Sequence, residues 1–195
     1  AALKGYSAAM EDVLEMLDQP LPNIIKPDQP YILRKSIMLS DVHFTYDSSK
    51  PEILKGLNLE VRCGERIGLI GSTGSGKSST VDLLMGLLRP TSGSVSVDGI
   101  NLHDPTNPEL IYAWRSSIAH VPQNIYLADS TVAENIAFGV PKDKIDMARV
   151  IDAARQAQIL TFIEDSTDGF QTFVGERGIR LSGGQRQRIG IARAL

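Results

Sequence analysis

The stretch GSTGSGKS, residues 71–78, decides how the chain around it folds. It has the spacing G-x-x-x-x-G-K-[ST], and each fixed position meets a physical demand. Gly71, Gly74 and Gly76 permit backbone angles that turn successive N–H groups inward, forming a nest for phosphate oxygens at a helix start. Lys77 then reaches the β- and γ-phosphates of a nucleotide, and the Ser78 hydroxyl is placed to ligate Mg²⁺. Ser72, Thr73, Ser75 and Ser79 complete the candidate phosphate-binding stretch. A glycine-rich turn that binds nothing is the plain alternative. With average residue usage such a match arises by accident in roughly 1% of chains this long, and the strand-loop-helix setting lowers that further.

That setting is read outward from the loop. Residues 66–70, RIGLI, are a short apolar run expected as a buried strand, and residues 37–46 and 52–61 read as further strands of a buried sheet. Residues 77–88 carry Val81, Leu84, Met85 and Leu88 at i, i+3, i+4, i+7, with Leu83 and Leu87 widening the apolar face. This predicts a helix that is nearly all core until Pro90 stops it. In SVSVDGINL, Asp98-Gly99 between two β-prone runs predicts a hairpin. After Gln123 the character turns helical. Thr131 and Glu134 have capping-box spacing, and Ile145, Val150, Ile151, Ala154 and Ala157 mark a longer helix. At the other end, Leu3, Tyr6, Met10, Val13, Leu14 and Leu17 fall on one helical face, and Pro20, Pro22, Pro27 and Pro30 make residues 18–34 a linker. No internal repeat or low-complexity tract is present.

Composition bounds the function classes. At 195 residues, 42% hydrophobic and 22% charged with a net charge of -3, the chain suits one globular domain and has no basic excess to hold a nucleic-acid backbone. Cys63 is the one cysteine, which excludes an internal disulfide framework; bland packing is its expected role, with a reactive thiol as the minor alternative. No apolar run approaches the roughly 20 residues needed to span a bilayer, and no leader-like segment opens the chain, so the residues present are expected to be soluble and cytosolic. The missing initiator methionine makes the N-terminus an expected cut edge.

A second motif narrows the nucleotide reading. LSGGQ, residues 181–185, arises by chance in roughly one chain of this length in several thousand, and it lies about a hundred residues after the phosphate loop. Together these residues resemble the nucleotide-binding domain of the ATP-binding cassette (ABC) family, and the resemblance runs from Ile37 to Leu195. Tyr46 in DVHFTYD looks like the family's adenine-stacking residue, with an ordinary strand aromatic as its rival. Gln123 in AHVPQN resembles the glutamine that senses the γ-phosphate and Mg²⁺, with a plain loop amide as its rival. TFVGERG, residues 172–178, resembles a loop of the family's exporters; Glu176 and Arg177 would otherwise be a solvated charge pair. Arg186, Arg188 and Arg193 are taken as ion-pairing and solvated residues, since one helix without interleaved aromatics is weak evidence for nucleic acid.

The resemblance implies an α/β fold: a P-loop NTPase core sheet of ABC type, an antiparallel β subdomain, and an α-helical subdomain over about 124–190, with the C-terminal part missing. It implies ATP and Mg²⁺ as ligands. Ser182, Gly183, Gly184 and Gln185 would present donors at a helix start to a second phosphate. The implied partners are a second nucleotide-binding domain in a head-to-tail pair and a transmembrane domain, at the cytoplasmic face of a membrane; nucleic acid is not among them. Residues 1–36 resemble the end of a membrane domain's last helix plus linker, which favours an exporter over an importer, and residues 37–195 would be the nucleotide-binding domain. The family's Walker B strand, D-loop and switch histidine do not appear: His43, His103 and His120 all precede the signature. The intact protein is therefore expected to be a transport ATPase, while these residues alone are expected to turn over ATP poorly or not at all. The alternatives are a nucleotide-holding fragment without turnover, or a non-transport ABC ATPase of translation or DNA repair. The intact look of both motifs favours a homodimer, and the transported substrate is not legible.

Overall fold

The computed structural model describes residue 10, residues 13–18, residue 27 and residues 29–195. The chain divides into two compact units, Ala1–Ile118 and Ala119–Leu195. Of the expected N-terminal helix, Met10 and residues 13–17 are helical and exposed; Leu3, Tyr6, Pro20 and Pro22 lie outside the described residues, and Pro27 and Pro30 belong to no regular element. No described helix is long and apolar enough to cross a membrane.

The first unit is built on an antiparallel sheet in the order β2-β1-β3-β4, formed by β1 (Ser36–Phe44), β2 (Leu54–Arg62), β3 (Ser92–Val97) and β4 (Ile100–Asn101). Strand alternation turns Ile37 and Leu39 inward and Met38 outward. A bulge at Ser40 and Asp41, where Asp41 takes φ 47°, adds one residue and shifts the phase, so that Val42 and Phe44 face the core. The hairpin forms as expected: Val97 pairs with Ile100 across Asp98 (φ 51°) and Gly99 (φ 86°), the two left-handed residues of a type I′ turn. Leu83 of α1 (Lys77–Leu84) and Leu110 and Trp114 of α2 (Glu109–Ser116) complete this core. Trp114 Nε1 donates to Leu84 O at 2.8 Å and Arg115 Nε to Gly86 O at 2.9 Å, tying α2 to the end of α1.

Three expectations are corrected in this unit. The helix after the loop stops at Leu84, well before Pro90. Gly86 turns left-handed at φ 69°, its N–H donates to Leu83 O and the Leu87 N–H to Asp82 O, a Schellman closure that leaves Leu87 55% exposed. Residues 66–70 form no strand, and all five are exposed, Ile70 to 96%. Apolar composition favours a strand, but a ladder needs a neighbour, and no described strand lies beside these residues to take their backbone hydrogen bonds. The antiparallel sheet of the expected fold is thus present, whereas no core sheet forms around the phosphate loop among the described residues. Cys63 is exposed at the end of β2 rather than packed, its thiol 3.4 Å from Leu33 O.

The second unit is helical: α3 (Val132–Ile136), α4 (Met147–Gln156), α5 (Leu160–Glu164) and α6 (Gly183–Arg193). Its core gathers Leu127, Val132, Val150, Ala154, Ile159, Ile163, Val174 and Ile189. Polar side chains start three of the helices. Thr131 and Glu134 form the expected capping box on α3, Asp146 accepts from the Ala148 and Arg149 N–H groups on α4, and Ser182 and Gln185 form a second capping box on α6.

Candidate functional site

Gly76 is the N-cap of α1, at φ 86° and ψ 7°, and no side chain caps the helix. A Cβ here would lie 2.7 Å from Leu54 Cδ2 and 3.2 Å from Ile53 Cγ2, so glycine is required by both the backbone angle and the space. The first-turn N–H groups of α1 have no carbonyl within the helix to bond and carry the positive end of its dipole. Over the loop lies the Lys77 ammonium, donating to Gly71 O at 2.8 Å, Ser72 O at 2.7 Å and Ser75 Oγ at 3.3 Å. Residues 71–75, which include Thr73 and Gly74, are exposed, as is Ser78; Ser75 N–H donates to Ser72 O at 3.2 Å and closes the turn.

The fold brings Tyr46 to the same helix. Its hydroxyl shares a 3.1 Å hydrogen bond with Ser79 Oγ, its ring stands edge-on to Phe44 at 4.8 Å and 80°, and it remains 58% exposed. Ser79 is buried, so its hydroxyl tethers Tyr46. An exposed aromatic, a lysine and an uncapped helix start therefore lie together in the first unit, a set suited to a nucleobase followed by phosphates.

Gln123 and the signature residues belong to the second unit. Ser182 N–H donates to Gln185 Oε1 at 2.8 Å and Gln185 N–H to Ser182 Oγ at 3.3 Å. Gly183 and Gly184 are exposed, with nothing within 4 Å of where a Cβ would stand. Gln123 is exposed, and it lines a concavity of about 570 Å³ together with Tyr126, Arg177, Gly183 and Arg186. The TFVGERG loop is tied to the segment ahead of α3: Val132 N–H donates to Thr172 O at 3.0 Å and Val174 N–H to Ser130 O at 3.1 Å. Glu176 and Arg177 are exposed, Arg177 at φ 52°.

Of the arginines after the signature, Arg193 differs from expectation, while Arg188 is exposed. Arg188 Nη1 donates to Gln158 O at 2.9 Å, and Arg193 is half-buried, donating to Asn135 O, Asn135 Oδ1 and Tyr126 O with its guanidinium 4.6 Å from the Phe138 ring. Burial holds the Arg193 pKa below the ordinary arginine value. Its i+4 spacing from the buried Ile189 was the available signal that it lies on the core side of α6. Among the described residues no cluster of His, Cys, Asp and Glu is arranged to hold a metal.

The profile of the ABC transporter family matches residues 54–195. The chain belongs to the ABC transporter family. Over 193 residues this ABC transporter chain is 39% identical to the ATP-dependent lipid A-core flippase of Chromohalobacter salexigens, covering 98% of the chain and 32% of that protein. It is 46% identical over 167 residues to ABC transporter B family member 6 of Dictyostelium discoideum, covering 82% of the chain and 24% of that protein. A bacterial Atm1-family ABC exporter solved with ATP bound superposes with a TM-score of 0.78 at 35% identity, over 95% of this chain and 32% of the other. The chain spans about a quarter to a third of the length of these ABC transporters.

Proposed function

We propose that the chain is the ATP-binding part of an ABC exporter, in which ATP binding and hydrolysis drive a substrate across a membrane. The observation that carries this reading is the start of α1: an uncapped first turn, entered through Gly76 and overlain by the Lys77 ammonium, with Tyr46 beside it. Adenine stacks on the exposed Tyr46 ring, and the phosphates lie on the N–H groups of Gly71 to Ser79, neutralised by Lys77 and the helix dipole. The exposed Ser78 hydroxyl is a donor of the hard type that suits Mg²⁺, which when bound would neutralise developing phosphate charge. In the second unit the exposed Gln123 amide is assigned to sensing a γ-phosphate and its Mg²⁺.

The signature supplies a second anion site. Ser182 Oγ accepts from Gln185 N–H and keeps its own O–H to donate, and the N–H groups of Gly183 and Gly184 have no side chains over them. In a head-to-tail pair these groups close on the ATP held by the partner's loop, so that ATP joins the two copies. Residues 1–36 are assigned to the end of a membrane helix and its linker, and 37–195 to the nucleotide-binding domain at the cytoplasmic face, with the helical subdomain near 124–190. The names of the relatives, a flippase and an exporter among them, support the direction of transport.

The test is equilibrium binding of Mg·ATP to the full-length protein, with hydrolysis followed in parallel and Lys77→Ala as control. The expected result is binding that Lys77→Ala weakens by roughly tenfold or more, the scale of one charge-assisted contact. Equal binding by wild type and Lys77→Ala would remove the reading.

A further inference from the structure

Between Gln123 and α3 the chain runs across α6, and three contacts hold it there. At Gly190 a Cβ would lie 2.4 Å from Ile125 Cδ1 and 2.9 Å from Ile125 Cγ1, so Ile125 sits in a notch that only a missing side chain leaves open. About one turn later, Arg193 spreads its fork over three acceptors: Nε to Asn135 O at 2.5 Å, Nη1 to Tyr126 O at 2.6 Å and Nη2 to Asn135 Oδ1 at 2.7 Å. Asn135, fully buried, uses its whole side chain. Oδ1 also accepts from Ala128 N–H, while Nδ2 faces Ala128 O, Ser130 Oγ and Thr131 O, each at 3.0 Å.

No carboxylate lies within ion-pair distance of Arg193 among the described residues. Arg193 is half-buried and its acceptors are all neutral, so the partial loss of hydration is not repaid by an ion pair. What the planar fork adds is direction: it fixes Tyr126 and Asn135 to one helix at once. Gln123 stands two residues before Ile125, the signature turn begins the helix that carries Gly190 and Arg193, and Gln123 and Gly183 line one concavity.

We propose that Gly190, Arg193 and Asn135 are positioning residues that clamp residues 125–128 onto α6, so that Gln123 and the Ser182–Gly184 turn move as one body. The inference rests on reading Gln123 and that turn as phosphate-facing groups. A γ-phosphate contact at Gln123 then carries the signature with it instead of bending a loop. A methyl added at Gly190 would force Ile125 to retreat by about 1 Å, a displacement that costs up to about a hundredfold in rate when it misplaces a reacting group.

The test places spin labels at Asn124→Cys and Gln187→Cys in the full-length protein carrying Cys63→Ser, and measures their separation with and without a non-hydrolysable Mg·ATP analogue. The expected result is one narrow separation, the same in both states. Arg193→Gln broadens it and lowers kcat by roughly tenfold or more while the KM for ATP changes little, because the P-loop is untouched. A wild-type separation that changes with nucleotide overturns the proposal, as does an Arg193→Gln protein that only melts earlier while separation and kcat stay as in wild type. Should Arg193→Gln not fold, Gly190→Ala carries the same expectation at the other contact, with Ile125→Ala in the same chain restoring both readouts; no change in Gly190→Ala overturns the clamp. If wild type shows no Lys77-dependent turnover, the ATPase reading fails, and the separation without nucleotide still decides the clamp.

Discussion

Tyr46 shows how one residue is positioned by a contact far away in sequence. Its ring is exposed because its hydroxyl is held by Ser79, on the helix that the phosphate loop opens, and because Phe44 supports one edge. The ring, rather than the hydroxyl, is the part left exposed, and the proposed adenine contact rests on it. Tyr46→Ala is therefore expected to weaken ATP binding by about 1–3 kcal/mol, the scale of base–aromatic stacking, whereas Tyr46→Phe keeps the stacking face and most of the affinity. Titration with a fluorescent ATP analogue separates these outcomes, and equal losses in both variants would assign the role to the hydroxyl. The aromatic and its place near a strand end were legible in the sequence. The Ser79 tether was not, because a hydrogen bond spanning 33 residues leaves no local pattern.

At the scale of elements, the structure follows the sequence wherever a turn or cap is written in adjacent residues. The Asp98-Gly99 hairpin, the Thr131–Glu134 box and the glycine-opened α1 are of this kind. Asp98 does more than turn the hairpin. Its Oδ1 accepts from Lys35 N–H at 2.7 Å and Ser36 N–H at 3.1 Å, and its Oδ2 from Arg34 N–H and the Tyr31 hydroxyl, each at 3.0 Å. Partial burial raises its pKa, but the hydrogen bonds from Lys35, Arg34, Tyr31 and Ser36 together outweigh it and hold the carboxyl below its ordinary value. A carboxyl with a lowered folded pKa contributes stability above its unfolded value, near 3.9, and that contribution disappears as pH falls through the folded value. Asp98→Asn is expected to lower the melting temperature at pH 7 and to converge on wild type below about pH 4. Thermal melts from pH 7 to pH 3 read this directly; a gap that persists at low pH would show that the charge is not what holds residues 34–36. Residues 66–70 needed a distant partner, and their strand composition misled because no described strand lies beside them. The end of α1 misled for a local reason: the apolar run to Leu88 outweighed the Gly86 closure written in adjacent residues.

For the whole molecule, the glycine loop with Lys77 and Tyr46 belongs to the first unit, and Gln123 and the signature turn belong to the second. If the signature closes on a partner's ATP, association depends on the first turn of α6 while nucleotide binding does not. Gly183→Asp isolates that step, because nothing lies within 4 Å of the new Cβ, and a carboxylate at a helix start favours the helix while repelling phosphate. The expected outcome is unchanged ATP binding with loss of the Mg·ATP-dependent rise in mass by light scattering, and a variant that associates like wild type would separate the signature from the interface. The sequence by itself determined the family, the glycine loop that opens α1 and the signature turn, since each is a demand of neighbouring backbone atoms that only certain residues satisfy in order. Only the tertiary structure decided that Ser79 holds Tyr46, that Asp98 gathers the residues before β1, and that Gly190, Arg193 and Asn135 seat the chain after Gln123 on α6. Those contacts join residues tens of positions apart, and their geometry exists once the core has brought the elements together.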